Sequence, residues 1–346
     1  PDHWHALQTI HACQAGKDVY VQKPLSFTIK EALKMTDVAV KTSRVVQVGS
    51  QQRSSAEFQK AIELVQNGSI GHIEKIYAKV GDPPKPLDLP EMAVPGNLNW
   101  NLWLGPLNDS KIHYHPDLAP PISLDPPQDE ELWGAWRWYR ETGNGYTADW
   151  GAHMFDIAQA AIGMDGSGPC EVIPKGYNGQ EYMTFKYLTG VVMTEQPYLE
   201  DMPNAQGIKF IGTDGWIEVA RGYIGCSKPE LIPEEIAGNR PRQMTREERQ
   251  AMWEEMRRSM REGGGNAFEQ RAAHMFDFIK SVRSRKDPIA PVQVGASTAI
   301  ACCLGNIATE LQRPVKWNPV TNHFVDDPEA SKHRLVHYKY RNNYKL

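Results

Sequence analysis

The sequence predicts an α/β protein: a parallel strand–helix–strand unit at the start, then a domain built on a mainly antiparallel sheet. Three observations carry this expectation. Residues 17–49 run strand, helix, strand, the alternation that builds parallel sheets. Segments 73–80, 182–187, 190–196, 207–212 and 215–220 alternate apolar and polar residues with period two. Segments 268–284 and 296–311 carry apolar stripes at helical spacing.

In chain order, residues 2–16 form a helix with Ala6, Leu7, Ile10 and Ala15 apolar and Gly16 at its end. A β-branched strand, Lys17 to Gln22, leads to Lys23. Ser26 or Thr28 caps the next helix, which runs to Lys41 with Glu31 in its first turn. Arg44 to Gly49 is a short buried strand, and Glu57 to Asn67 is a helix closed by Gly68. Residues 82–130 are rich in Pro, Asp and Asn without periodicity, which predicts a long loop. Residues 226–266 form a polar insertion whose charged helix, Thr245 to Arg261, faces solvent, and Gly263-Gly264-Gly265 makes a hinge or linker.

Length and composition narrow the function classes. At 346 residues the chain buries a large core and suffices for two domains. A net charge of −4 gives no footprint for nucleic acid or an anionic membrane. The basic, aromatic stretch Arg334 to Lys345 reads as a packed or arm-exchanging tail. No run of eighteen apolar residues occurs, so no membrane-spanning helix is expected. The 5 cysteines include no CxxC, and neighbours Cys302 and Cys303 are poor disulfide partners, which suits a reducing compartment or indifferent thiols.

Two short signatures carry chemistry: Gln22-Lys23-Pro24, and Asp149-Trp150-Gly151-Ala152-His153 after Gly143-Asn144-Gly145. A lysine at the carboxyl end of a parallel strand stands where such sheets bind ligands, though it also reads as an ordinary exposed lysine. His153 suits a proton acceptor near neutral pH. Asp149, four residues earlier, shares its face if one helix spans both, and either orients the histidine or caps the helix. Asp156 reads as structural. Gln51 and Arg53 follow a strand and either donate to substrate oxygens or form a plain helix-entry loop. Trp100, Trp103, Trp133, Trp136, Trp138 and Trp150, with Arg137 and Arg140, suit stacking on a sugar face or simple core filling. His113-Tyr114-His115 with Asp117 lacks a third ligand at a standard spacing, so no metal is expected.

The run Pro1-Asp2-His3-Trp4-His5-Ala6, then Ala15-Gly16-Lys17-Asp18-Val19 and Gln22-Lys23-Pro24, resembles the Gfo/Idh/MocA oxidoreductases, as does Gly143-Asn144-Gly145 with Asp149, Gly151, His153 and Asp156. Gln22 stands where the family has Glu. The resemblance implies a partial Rossmann domain followed by an α/β domain with a large open, mainly antiparallel sheet. The expected limits are 1–52 for the cofactor domain, 53–330 for a substrate-binding and oligomerisation domain whose helices 268–311 pack back on the first, and 331–346 for a tail. It implies NAD or NADP as cofactor, held by Pro1, His3, His5, Gln22, Lys23, Pro24 and Gln51. Lys23, Asp149 and His153 are then catalytic, and Arg53, Trp138, Arg140, Asp149 and His153 meet a carbohydrate.

The implied activity is hydride transfer between a nicotinamide and a sugar, sugar acid or cyclitol hydroxyl, by a homodimer or homotetramer. An NAD-dependent glycoside hydrolase and a non-catalytic sugar-binding protein are the alternatives. No G-x-G-x-x-G occurs. The chain is therefore expected to lack the first βαβ units and, by itself, to hold NAD weakly. The compartment is cytoplasmic by default, or periplasmic if an export signal precedes residue 1.

Overall fold

Ala6, Leu7 and Ile10 bury one side of helix α1 (Asp2–Gln14), which leads through Gly16, at φ 76°, into strand β1 (Val19–Val21). The computed structural model describes residues 1–120, 134–261 and 266–346. Helix α2 (Ile29–Thr42) starts at a capping box: the Thr28 hydroxyl accepts from Glu31 N, while the Glu31 carboxylate accepts from Thr28 N at 2.9 Å. Strand β2 (Val46–Val48) then pairs parallel with β1, Val19 opposite Val46 and Val21 opposite Val48. A 3₁₀ turn, Gln51–Ser54, and helix α3 (Ala56–Gln66) follow.

Strand β3 (Ile73–Lys79) opens the second sheet. The described part of the predicted loop holds a short helix, α4 (Trp100–Leu104). It packs with Leu118, Trp136 and Tyr139 in a small separate cluster, Trp100 stacked on Trp103 at 4.7 Å. Trp133 and Gly263-Gly264-Gly265 lie outside the described residues. After helices α5 (Gly145–Asp149) and α6 (Gly151–Ala161) come β4 (Glu171–Ile173), β5 (Thr184–Lys186), β6 (Val192–Thr194), β7 (Gly207–Gly212), β8 (Gly215–Ala220) and β9 (Tyr223–Cys226). Helices α7 (Glu234–Ala237), α8 (Arg246–Arg261), α9 (Asn266–Ser284) and α10 (Val292–Leu311) precede β10 (Val315–Asn318), β11 (His323–Phe324) and α11 (Pro328–Ser331).

Among the described residues the sheet has 9 strands in the order β11-β10-β4-β5-β6-β3-β7-β8-β9. Only β3 and β6 pair in parallel, so the sheet is mainly antiparallel as predicted. One face buries Ile76, Phe185, Met193, Phe210 and Ile217. The other carries cross-strand ion pairs such as Lys79–Glu195 and Lys209–Glu218.

Four strands departed from the sequence reading. β4, β9, β10 and β11, of two to four residues each, lie outside the segments in which the sequence predicts strands.

Helices α9 and α10 reach back to the first sheet. His274 on α9 accepts from Gln47 Nε2 through its carbonyl at 2.7 Å, and its Nε2 lies 2.8 Å from Val48 O. α10 packs on both α2 and α6. It is long and apolar enough to cross a membrane by length and composition, yet 89% of its apolar window is buried in the fold, so its apolarity serves the core. The tail also turns inward: Ile29 N donates to Leu335 O at 2.9 Å, and Tyr340 Oη to Glu31 Oε1 at 2.5 Å.

Candidate active site

The first sheet ends in a close approach. A Cβ on Gly49 would stand 2.4 Å from Gln22 Oε1, so a glycine there lets the ends of β1 and β2 close together. Gln22 Oε1 accepts from Lys23 N at 2.9 Å, and the Lys23–Pro24 peptide is cis. Lys23 thus leaves the carboxyl edge of the sheet with its backbone held. Its ammonium reaches across to α5, donating to Asp149 O at 2.8 Å and to Asp149 Oδ1 at 2.6 Å. The carboxylate that Gln22 does not provide comes instead from Asp149.

Two glycines, Gly143 and Gly145, set α5 in place; a Cβ on Gly143 would lie 2.5 Å from Trp136 O. Gly145 has φ 67°, and a Cβ there would lie 2.4 Å from Pro84 N, so both its conformation and its space exclude a side chain. Between them, Asn144 donates from Nδ2 to Phe27 O, and Asn306 on α10 donates to Asn144 O, each at 2.9 Å. The glycine-rich turn is therefore tied both to the entry of α2 and to α10.

The structure corrects the expected Asp149–His153 relation. No single helix carries both: α5 stops at Asp149, Trp150 sits at φ −91° and ψ −26°, and α6 restarts at Gly151. The Asp149 side chain caps neither helix; it faces Lys23, with Arg137 Nε at 4.0 Å. His153 is 4% exposed, and its Nδ1 has no hydrogen-bond partner among the described residues. Burial, reinforced by the charges of Lys23 and Arg221, holds its imidazole well below the ordinary histidine range, so the ring is neutral. A buried neutral imidazole with an unengaged nitrogen is equipped to take a proton.

The other predicted residues divide. Arg53 was expected at the substrate, but its guanidinium is buried and spent on two carboxylates, Asp156 at 2.7 Å and Asp165 at 2.5 Å. It locks the turn after β2 onto α6, and Asp156 is structural as predicted. His3 is buried with Nε2 2.9 Å from Trp103 O, while its Nδ1 has no hydrogen-bond partner among the described residues. His5 Nδ1 lies 2.8 Å from Pro24 O and braces the lysine loop. The Pro1 carbonyl accepts from Trp4 N at 2.9 Å and starts α1, and Gln51 is half-buried after β2. Trp138 stacks on Tyr146 at 4.0 Å, and Arg140 turns to Glu141 at 3.1 Å. His113 is engaged by Leu89 O at 2.7 Å and His115 by Asp117 N at 3.1 Å. Among the described residues no group of three His, Cys, Asp or Glu side chains stands ready for a metal.

Sequence reasoning missed Asp2 and Arg221 beside the candidate site, and named Arg137 only as a neighbour of the tryptophans. Burial pushes the Asp2 carboxyl up to about 7, against the pull of Lys23 and Arg137. Arg137 lies over the Trp136 ring at 4.3 Å, beside Asp149. Arg221, in the β8–β9 turn, lies over Trp150 at 4.6 Å and donates from Nε to Gln52 at 3.0 Å. For Asp2 the only signal was its place in the Pro-Asp-His turn; Arg221 had none, since a hairpin arginine gains meaning only when its turn is folded onto the other sheet.

Residues 1–50 match the family model described as an oxidoreductase family with an NAD-binding Rossmann fold. This stretch is similar to the Gfo/Idh/MocA oxidoreductase family. The chain is similar to a myo-inositol 2-dehydrogenase from Thermotoga maritima, 33% identical over 86 residues, which is 24% of this chain and 25% of that protein. The matched stretches span a fifth to a third of the length of the curated relatives. The fold is similar to that of an aldose–aldose oxidoreductase from Caulobacter crescentus, solved with glycerol, with a TM-score of 0.54 at 17% identity over 91% of this chain and 77% of that one. It is similar also to levoglucosan dehydrogenase in complex with NADH and levoglucosan, with a TM-score of 0.56 at 17% identity over 91% and 78% of the two chains. At such identities the likeness is one of fold.

Proposed function

We propose that this protein is an NAD- or NADP-dependent oxidoreductase acting on a secondary hydroxyl of a sugar, sugar acid or cyclitol. The observation that carries the reading is the Lys23–Asp149 ion pair at 2.6 Å, with neutral His153 one turn further on. It joins the carboxyl edge of a parallel sheet, where ligands bind in such folds, to a buried proton acceptor.

The residues present fit the nicotinamide end of such a cofactor. Gln22, Lys23, Pro24 and Gln51 line the sheet edge that Gly49 keeps narrow. A bound nicotinamide supplies the hydride acceptor. His153 accepts the proton of the hydroxyl being oxidised. The Lys23 ammonium stabilises negative charge on that oxygen, and Asp149 keeps the ammonium aimed. Burial of His153 excludes water from the proton-accepting side.

The same reading includes a homodimer or homotetramer assembled through the ion-paired face of the large sheet, where Tyr77 and Trp216 are half-buried. Light scattering on the purified protein checks this part.

The chemistry is tested with the gene's full-length product, NAD⁺ or NADP⁺, and a panel of sugars, sugar acids and cyclitols. Formation of reduced nicotinamide together with an oxidised sugar, lost in Lys23→Met and His153→Gln, supports the reading. Release of aglycone from aryl glycosides without net reduced nicotinamide turns it into the glycosidase alternative.

A further inference from the structure

Arg221 is held more firmly than a hairpin arginine needs to be. Its turn, between β8 and β9, is pinned to the first sheet's side of the molecule at three points. Gly222 N donates to Glu57 Oε1 at 3.0 Å, Arg221 Nε donates to Gln52 Oε1 at 3.0 Å, and the guanidinium carbon lies over the Trp150 ring, 4.6 Å from its centre. Trp150 separates Asp149 from His153 in the chain, and its ring meets the His153 ring edge-on at 5.8 Å. Arg221, Trp150 and His153 are therefore packed in series from the surface to the proton acceptor.

The terminal nitrogens of Arg221 are not consumed by this arrangement. Among the described residues they make no hydrogen bond, and no carboxylate stands within ion-pair distance of the guanidinium. Glu57, the carboxylate of the facing helix, is engaged with the turn's backbone. Asp149, the next acidic group, is taken by Lys23. Arg271 on α9 adds a further positive charge near Arg221. A fixed, stacked guanidinium with its donor fork open is the arrangement that binds carboxylate or phosphate oxygens bidentately.

We propose that Arg221 is a specificity residue that reads an anionic substituent of the substrate, a carboxylate or a phosphate, so that the site takes acidic sugars in preference to their neutral counterparts. The proposal rests on the oxidoreductase reading above for its reaction, though not for its binding. A substrate whose hydroxyl lies at His153 and whose anionic group lies over Trp150 is oriented at two points, and a cationic rim raises the local concentration of an anion.

The experiment compares matched substrates with the full-length protein. These are D-glucuronate and D-gluconate, D-glucose 6-phosphate, and the neutral D-glucose and D-sorbitol, each measured by kcat/KM with NAD⁺ or NADP⁺ and by isothermal titration. The variants are Arg221→Gln and Arg221→Lys. The expected result is an acid-over-neutral ratio of about tenfold or more in the wild type, falling by about tenfold in Arg221→Gln and partly regained in Arg221→Lys. Preference for the phosphate over the carboxylates, or the reverse, identifies which anion is read and supports the proposal.

A ratio near one in the wild type, or a ratio that Arg221→Gln leaves unchanged, overturns it while the oxidoreductase reading survives. Acid-selective binding that depends on Arg221 but yields no reduced nicotinamide overturns the oxidoreductase reading and leaves the anion site standing. Absence of both overturns both.

Discussion

Lys23 Nζ lies 2.6 Å from Asp149 Oδ1 and 2.8 Å from the Asp149 carbonyl, so one lysine holds both the side chain and the backbone of a residue 126 positions away. The contact fixes the glycine-rich turn against the end of the parallel sheet. Both partners are largely shielded, at 15% and 18% side-chain exposure, so water weakens the attraction less than at an open surface.

That geometry predicts unequal effects of two substitutions. Lys23→Met removes the charge next to the reacting oxygen and lowers kcat by about 10² to 10⁴-fold. Asp149→Asn leaves the ammonium in place but slackens its aim, and its loss is smaller. Steady-state kinetics on purified, folded variants measure both. Equal, small losses contradict the assignment.

His153 gives a pH-dependent stability. The folded protein holds this ring neutral, whereas the unfolded chain protonates it through the ordinary value of 6.5. The unfolded state thus gains the proton first, and the stability contributed by the neutral ring is present above pH 6.5 and lost as pH falls below it. For one such group the loss approaches about 1.4 kcal/mol per pH unit. Asp2 and Glu31, both pushed up to about 7 by burial, shift stability in the opposite direction. Comparing wild type with His153→Gln cancels their contribution. Urea unfolding at about pH 7 and about pH 5 is expected to show the gap between the two proteins closing or reversing on acidification.

Arg53 and Asp156 predict a coupling. Without Arg53, Asp156 is a buried carboxyl that has lost its cation, so Arg53→Met costs about 3 to 5 kcal/mol; Asp156→Asn costs less, because Arg53 keeps its pair with Asp165. The double variant costs less than the sum, because it leaves no such charge behind. Chemical unfolding of the four proteins completes the cycle, and strict additivity sinks the account of Arg53 as a structural lock.

Gly145→Ala tests the turn that carries Asp149. The substitution meets both a positive φ and the backbone of Pro84 at 2.4 Å, so it destabilises by about 2 kcal/mol or more and moves α5 away from Lys23. Gly68→Ala is the control: it shares the positive φ but has nothing within 4 Å. It is expected to cost stability without lowering kcat.

Much of the first sheet could be read directly. Thr28 with Glu31 announced the helix start, and the β-branched runs around Tyr20 and Gln47 announced the parallel pair, because capping and burial leave local marks. The second sheet is legible in part, and strand length alone does not decide it: β5 and β6, of three residues each, fall within the alternating segments 182–187 and 190–196. β7 and β8 alternate over six residues each, whereas β4 and β11 lie outside every such segment.

The site was legible as residue types and partly wrong as geometry. Lys23, Asp149 and His153 could be named from their motifs. The break at Trp150, which turns Asp149 towards Lys23 and away from His153, follows from packing across the molecule. Arg53 shows the same limit. Its partner Asp165 is 112 residues away, and no local feature marks one buried arginine as structural and another as a ligand.

The central claim is that Lys23 and His153 serve a hydride transfer to a nicotinamide. The most direct test gives the full-length protein a substrate deuterated at the carbon that bears the reacting hydroxyl, together with unlabelled NAD⁺ or NADP⁺. The account predicts that the deuterium appears in the reduced nicotinamide, with a slowed rate in wild type and no transfer in Lys23→Met or His153→Gln. Deuterium that stays on the sugar, washes out into water, or transfers equally well in both variants contradicts it.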